Sequence, residues 1–515
     1  MHSILQLTPI MTRLFLTTIL MLLLSLPLAA QGSLRRGPGC WRGAKPQQET
    51  SRRAGQHRAG TTVFQGKKKG LVILAEFPDM NFRQGHGRAK YKDILNAPGY
   101  TTSEGFRGSV ADYFREQSGG LFELEFDVVG PYMTKHKYAY YGENNEQDDD
   151  KRPEEMVIEM CQAADDEVNF ADYDWDGDRF VDEVFVVYAG RGEADGGNEK
   201  TIWPHMWALS SAGRHLALDN RYIDVYACAN EMQTDFDING IGTFCHEFSH
   251  CLGLPDFYDR LNHEEFGMAE FDLMDSGAYI GNGFTPVGYT AYEKMFCGWK
   301  EPIELGREDV TVDSLRPMSE NGDSYIIYND GNHNEYYMIE YRRKTGWDVN
   351  YPTEGLMITH VDYNKTLWDY NTPNCIYTDA EAKLQYLPVS NDHQRMTIFH
   401  ADYNDQYWST KTDLYPFAKN DSLTATSNPA ATLYHKNSLG LKTMTGSILD
   451  IRKNNNGTMA FRYRAIPPTI TAIRETESPH QITNIIYTID GRVAETSLES
   501  LPHGVYIVGG KKVVR

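Results

Sequence analysis

Cysteine is scarce in this chain: there are seven in 515 residues, an odd number without a repeated spacing (Cys40, Cys161, Cys228, Cys245, Cys251, Cys297 and Cys375). That excludes a disulfide framework as the device that holds the fold together. One or two bridges, or buried thiols, are the alternatives left open. Positive charge is also short, with 50 Lys and Arg against 71 Asp and Glu and a net charge of -21. A surface so acidic disfavours a nucleic-acid partner, because binding phosphates needs a basic face. Long apolar runs are missing beyond the first thirty residues, so no later segment reads as a membrane span, and no internal repeat is present. What is plentiful is core material. Hydrophobic content of 41% with 12% aromatics fits packed domains rather than disorder, and the length allows two or three of them.

The one long apolar run, Leu14 to Leu24, follows Arg13 and ends in small residues up to Ala30. It reads as a secretory signal over residues 1–30, and export follows from it. Residues 31–68 are rich in Arg, Gly and Gln and finish in Lys67-Lys68-Lys69, the composition of a flexible leader or propeptide open to proteases. Strands are expected at Leu71 to Phe77 and Val184 to Tyr188, with helices at Ser109 to Gln117 and Glu155 to Asp166. This alternation predicts an α/β layer for a catalytic domain over 69–300. Beyond Trp299 short alternating runs such as Ser324 to Tyr328 and Tyr337 to Tyr341 predict a β-rich domain over 301–466.

The chemistry is concentrated in His246-Glu247-Phe248-Ser249-His250-Cys251-Leu252-Gly253-Leu254-Pro255-Asp256. On a helix, residues four apart share a face, so His246 and His250 can offer imidazole nitrogens to one Zn²⁺. Glu247 sits beside that metal as general base. Ile241, Phe244, Phe248 and Leu252 give the helix an apolar face, and Gly253 permits the left-handed turn that ends it and swings Asp256 back as third ligand. Glu270 is the rival for that place. Downstream, Phe271 to Gly277 resembles the Met-turn beneath the zinc of metzincin-like peptidases, with Met274 as its methionine. Tyr279 is a candidate donor to the transition state, and Trp203, Trp207, Phe257 and Tyr258 are candidate cleft walls.

With these residues, and with Lys69 to Phe77, Asp112-Tyr113-Phe114, Ile202-Trp203-Pro204-His205, Gly242 to Cys245 and Tyr336 to Tyr363, the chain resembles secreted zinc metallopeptidases of the immune inhibitor A type over roughly residues 69–465. The resemblance implies a metzincin-like catalytic domain, α+β or α/β, in which a twisted sheet carries the zinc helix. It also implies that the β-rich domain over 301–466 packs on the catalytic lobe, and that the substrates are peptides or proteins. The short leader departs from that pattern. Two other functions stay open, a catalytically silent surface-binding protein on the same fold and a zinc hydrolase of a non-peptide amide or ester.

Six acidic side chains fall between Asp172 and Glu183, which suits a structural Ca²⁺ loop. The register expected is Asp174, Asp176, Asp178, the Phe180 carbonyl and Asp182, with an EF-hand register ending at Glu183 as the alternative. After Pro467-Pro468 the chain alternates again in short β runs, predicting a small β-sandwich over 467–515. It resembles the C-terminal sorting signal of type IX secretion, carried by Asp490-Gly491-Arg492, Leu501 to Tyr506 and the closing Gly510 to Val514. That resemblance implies passage through the periplasm of a Gram-negative bacterium to the surface or the medium, with secretion machinery as partner.

Overall fold

The computed structural model describes residues 63–465, apart from 147–148, 263 and 407–408, and near the C-terminus residues 486–488, 493–494, 501–508 and 511–514. The signal and almost all of the leader, Cys40 included, lie outside the described residues. The chain divides into two compact units, Met1–Ile466 and Pro467–Arg515. No helix among the described residues is long and apolar enough to cross a membrane.

The first sheet joins β1 (Gly66–Glu76), β2 (Phe122–Met133), β3 (Val184–Arg191), β4 (His205–Ala208) and β5 (Val225–Met232) in the order β2-β1-β3-β5-β4. All its pairings are parallel except that of the edge strand β4. The run Leu71 to Ala75 is buried throughout because both faces of the sheet are covered. Leu71, Ile73, Val184 and Val186 face the helix α3 (Pro153–Ala164) through Met156, Val157 and Met160. Val72, Leu74, Phe185 and Val187 share the opposite core with α1 (Arg88–Asn96), α2 (Val110–Gln117) and α4 (Gly242–Cys251). α2 starts at Ser109, whose capping box with Asp112 satisfies the first free amides.

Lys67 and Lys68, expected in the leader, are instead paired in β1 with Glu123 and Leu124. Just before them Phe64 packs on Phe122, and its carbonyl accepts the Trp299 indole N–H at 2.8 Å. From Phe64 on, an aromatic anchor and a strand register hold the chain to the folded unit.

The β-rich half contains a second sheet, β11-β10-β9-β8-β6, made of β6 (Ile303–Glu304), β8 (Tyr325–Asn329), β9 (Asn332–Arg342), β10 (Gly355–Asp362) and β11 (Met396–Ile398). A third, β12-β13-β7, joins β7 (Val310–Leu315), β12 (Gly446–Lys453) and β13 (Met459–Ala465). One face of the second sheet, with Met338 and Met357, merges into the core under α4, while the other, with Tyr337, Ile339 and Ile358, packs on Ile448 and Phe461. The two halves of this unit are thus built around a common interior, a mixed α+β architecture.

In the second unit the described strands β14 (Ile486–Thr488), β15 (Val493–Ala494), β16 (Val505–Val508) and β17 (Lys511–Val514) form one antiparallel sheet in the order β15-β14-β16-β17. The second layer of the expected sandwich is not seen among the described residues.

Candidate metal centre

Helix α4 carries its apolar and its polar chemistry on opposite sides. Phe244 stacks on Phe185 with ring centroids 3.8 Å apart, and Phe248 packs on Phe114 and Phe126 at 4.9 and 5.7 Å. Burying each ring contributes on the order of 1.5–3 kcal/mol, which seats the helix on the sheet. Two positions further along, about 200° round the helix, His246 and His250 face away from the sheet. At its start a Cβ on Gly242 would run into the Ala278 carbonyl oxygen, so glycine is what lets the helix approach that close. At its end Gly253 takes φ +96°, its N–H reaching the His250 carbonyl while that of Leu254 reaches Ser249.

That turn returns the chain to the two imidazoles. His246 Nε2 and His250 Nε2 lie 3.2 Å apart, and Asp256 Oδ1 is 3.1 Å from the first and 3.3 Å from the second. Each ring donates its Nδ1–H to a backbone carbonyl, His246 to Leu273 at 2.8 Å and His250 to Leu254 at 2.7 Å. Both Nε2 lone pairs therefore point at Asp256 Oδ1, a buried atom that accepts no hydrogen bond. Three acceptor atoms converging in a dry interior repel one another unless a cation lies among them. Tetrahedral zinc with ligands at 2.0–2.1 Å sets ligand atoms about 3.3 Å apart, and this triangle fits it. His246, Glu247 and Asp256 are fully buried and His250 nearly so.

Sequence reasoning missed the shell behind these atoms. Asn371 donates its Nδ2–H to Asp256 Oδ2 at 2.7 Å and accepts the Asp256 backbone N–H on its Oδ1 at 2.5 Å. No local pattern reveals a residue 115 positions away. Glu270, the rival ligand, accepts a hydrogen bond from the Thr410 hydroxyl at 2.9 Å. Met274 is fully buried in the turn whose preceding residue, Leu273, anchors His246, and its carbonyl accepts the Phe257 N–H at 2.9 Å. Tyr279 is half-buried in the segment Ser276–Gly283 that abuts the start of α4. Of the expected cleft walls, Phe257 is core, packed on Tyr292 and Trp368.

The acidic loop comes together only in part. Carboxylate oxygens of Asp174, Asp176 and Asp182 lie within 4.8 Å of one another. Asp178 stands outside that group, with its carboxylate accepting the Phe180 N–H at 2.8 Å. Asp174 also pairs with Arg221 at 2.7 Å, and Asp182 accepts the Trp175 N–H at 2.5 Å. All six described cysteines are buried.

Residues 62–301 match the family model of the immune inhibitor A peptidase M6 catalytic domain. The segment is similar to the catalytic domain of the M6 peptidases, and the match covers just under half of the chain. Among curated proteins the chain is 27% identical over 292 residues to a pre-pro-metalloprotease, PrtV, of Vibrio cholerae serotype O1, an alignment covering 47% of this chain and 31% of that one. It is 27% identical over 300 residues to immune inhibitor A of Bacillus thuringiensis subsp. alesti, with coverage of 47% and 42%. The chain thus spans well under half the length of these relatives.

Proposed function

We propose that this protein is an exported zinc endopeptidase in which His246, His250 and Asp256 hold the metal and Glu247 is the general base. The observation that carries the reading is the triangle of His246 Nε2, His250 Nε2 and Asp256 Oδ1, with edges of 3.1–3.3 Å and its lone pairs unspent. Zinc, when bound, supplies Lewis acidity towards water and the scissile carbonyl. The chain supplies the proton traffic. Glu247 adjoins His246 in the sequence and accepts a proton from the attacking water, then returns it to the leaving amine. Leu273, Leu254 and Asn371 hold the three ligands in the one orientation that leaves those lone pairs converging. Tyr279, on the segment after Met274, is the candidate to steady the oxyanion. A silent binding protein would have no use for the complete set His246, Glu247, His250 and Asp256. Cleavage of a mixed peptide library with and without a zinc chelator tests the reading, and Glu247→Ala should keep the zinc and lose cleavage. Zinc-free wild-type protein, or near-normal activity in that variant, would overturn it.

Export rests on the sequence at the two ends of the chain, the signal before Ala30 and the sorting-type segment after Pro467. Deletion of residues 467–515 should leave peptide cleavage intact and stop release from the cell. Ca²⁺ is assigned to Asp174, Asp176 and Asp182, whose oxygens are the ones close enough to share it. A calcium-dependent rise in melting temperature that survives Asp176→Ala would remove that assignment.

A further inference from the structure

Asp256 opens a short segment that is laced to another far along the chain. β10 and β11 are joined by residues 363–395, a connection that begins with the short helix Lys365–Asp369 and then returns to the metal centre. Its residues 370–376 lie against residues 256–262, and side chains from both segments tie them together. Asn371 donates to the Asp256 carboxylate and accepts the Asp256 backbone N–H. Asn374 donates its Nδ2–H to the Phe257 carbonyl at 2.8 Å, and Asn262 reaches the Ile376 carbonyl at 3.4 Å. Between these contacts Arg260 donates from Nε to the Asn371 carbonyl at 2.6 Å and from Nη2 to the Tyr370 carbonyl at 3.5 Å.

Asn371 is thus gripped at both ends by one stretch of chain, its side chain by Asp256 and its carbonyl by Arg260 four residues later. It is buried, and its φ of +55° lies in the left-handed region, which asparagine visits more readily than other side chains but which still has to be held. Its N–H goes to the Trp368 carbonyl at 3.0 Å, inside its own segment. The carbonyl is the part of its backbone that is tied to the segment carrying Asp256. A tilt of that carbonyl would swing the Asn371 amide, and both of its hydrogen bonds to Asp256 would weaken together. Arginine suits the task, because its planar guanidinium presents several donors in a fixed fork and stays charged at any working pH.

We propose that Arg260 is a positioning residue for the third zinc ligand, acting through Asn371: by fixing the Asn371 carbonyl it sets the amide that orients Asp256. This rests on the reading of Asp256 as a zinc ligand. A staple that only joined the two segments would alter zinc binding whether or not Asn371 was present. A positioning residue loses its effect on zinc once Asn371 is gone.

The test uses the whole protein, with zinc affinity measured by competition with a chromogenic chelator. Arg260→Met should bind zinc about tenfold more weakly than wild type. Arg260→Lys, which keeps one donor for the Asn371 carbonyl, should show a smaller loss. In an Asn371→Ala background either substitution should change the affinity by less than about twofold, since the two residues act as one unit. The visible absorption of the cobalt(II)-substituted protein, which reports ligand geometry, should shift in the same direction in Arg260→Met and in Asn371→Ala. Wild-type affinity in every folded Arg260 variant overturns the proposal, as does a loss that adds in full to that of Asn371→Ala. If neither Arg260 variant folds, the residue is structural and the proposal is equally overturned. Wild-type protein that binds no zinc would instead remove the metal reading on which it rests, so the wild-type measurement tells the two failures apart.

Discussion

Asn371 grips Asp256 from two directions at once, its amide nitrogen on the carboxylate and its amide oxygen on the backbone N–H. The side chain that orients the proposed third ligand therefore comes from beyond residue 301, where the family match ends. Asn371→Ala should lower zinc affinity about 10–100-fold, the usual cost of losing an outer partner of a metal ligand. Asn371→Asp should do no better, since it removes the donor and sets a second carboxylate against Asp256. Competition with a chromogenic chelator measures both, and wild-type affinity in Asn371→Ala would mean that Asp256 is held by its turn alone.

Asp256→Ala should abolish stoichiometric zinc while Glu270→Ala retains it, because Glu270 is committed to Thr410. Elemental analysis of the two purified variants separates the cases. Zinc lost from Glu270→Ala and kept in Asp256→Ala would give the place to Glu270.

Arg342 is fully buried between Glu340 at 3.0 Å and Asp348 at 2.8 Å, donates to the carbonyls of Gly288 and Tyr289, and lies over the Tyr351 ring. Arg342→Met leaves two carboxylates without their cation, a change that costs about 3–5 kcal/mol. Urea unfolding should show it as a lower midpoint with little change in slope.

Asp272 and Glu293 share one buried site, with the Thr290 hydroxyl 3.3 Å from the first and 3.1 Å from the second. Burial raises both carboxyls, Asp272 to about 6. An unfolded Asp titrates near ~3.9, so between there and about 6 the native state holds the extra proton. Stability is then full below the unfolded value and falls as pH rises through the native one, by roughly 1.4 kcal/mol per pH unit while the group titrates. Asp272→Asn keeps the acceptor for the Met274 N–H and should flatten the fall of melting temperature between pH 4 and 7. An unchanged slope would place the proton elsewhere.

The parts legible in the sequence are those decided within a dozen residues. The run Leu71 to Ala75 forms a strand because both faces are apolar, and α4 with its Gly253 stop follows from the spacing of Phe244, Phe248 and the two histidines. What could not be read depends on partners far along the chain. Asn371 and Arg342 look like ordinary polar residues until folding brings them to Asp256 and Asp348. Lys67 and Lys68 have the composition of a loose leader, yet the strand hydrogen bonds that pair them with β2 are indifferent to side-chain charge. In the acidic loop, spacing could not tell which carboxylates would turn inward, and Asp178 turned to its own backbone.

The core beneath α4 also draws on Tyr351, Met357 and Trp368, all beyond residue 301. The family match therefore ends in the middle of a structural unit. A recombinant fragment cut at that point would lose the floor of its own interior together with Asn371 and Arg342, and should be recovered as insoluble or zinc-free material. For expression, the natural place to stop is after Ala465, where β13 closes the third sheet.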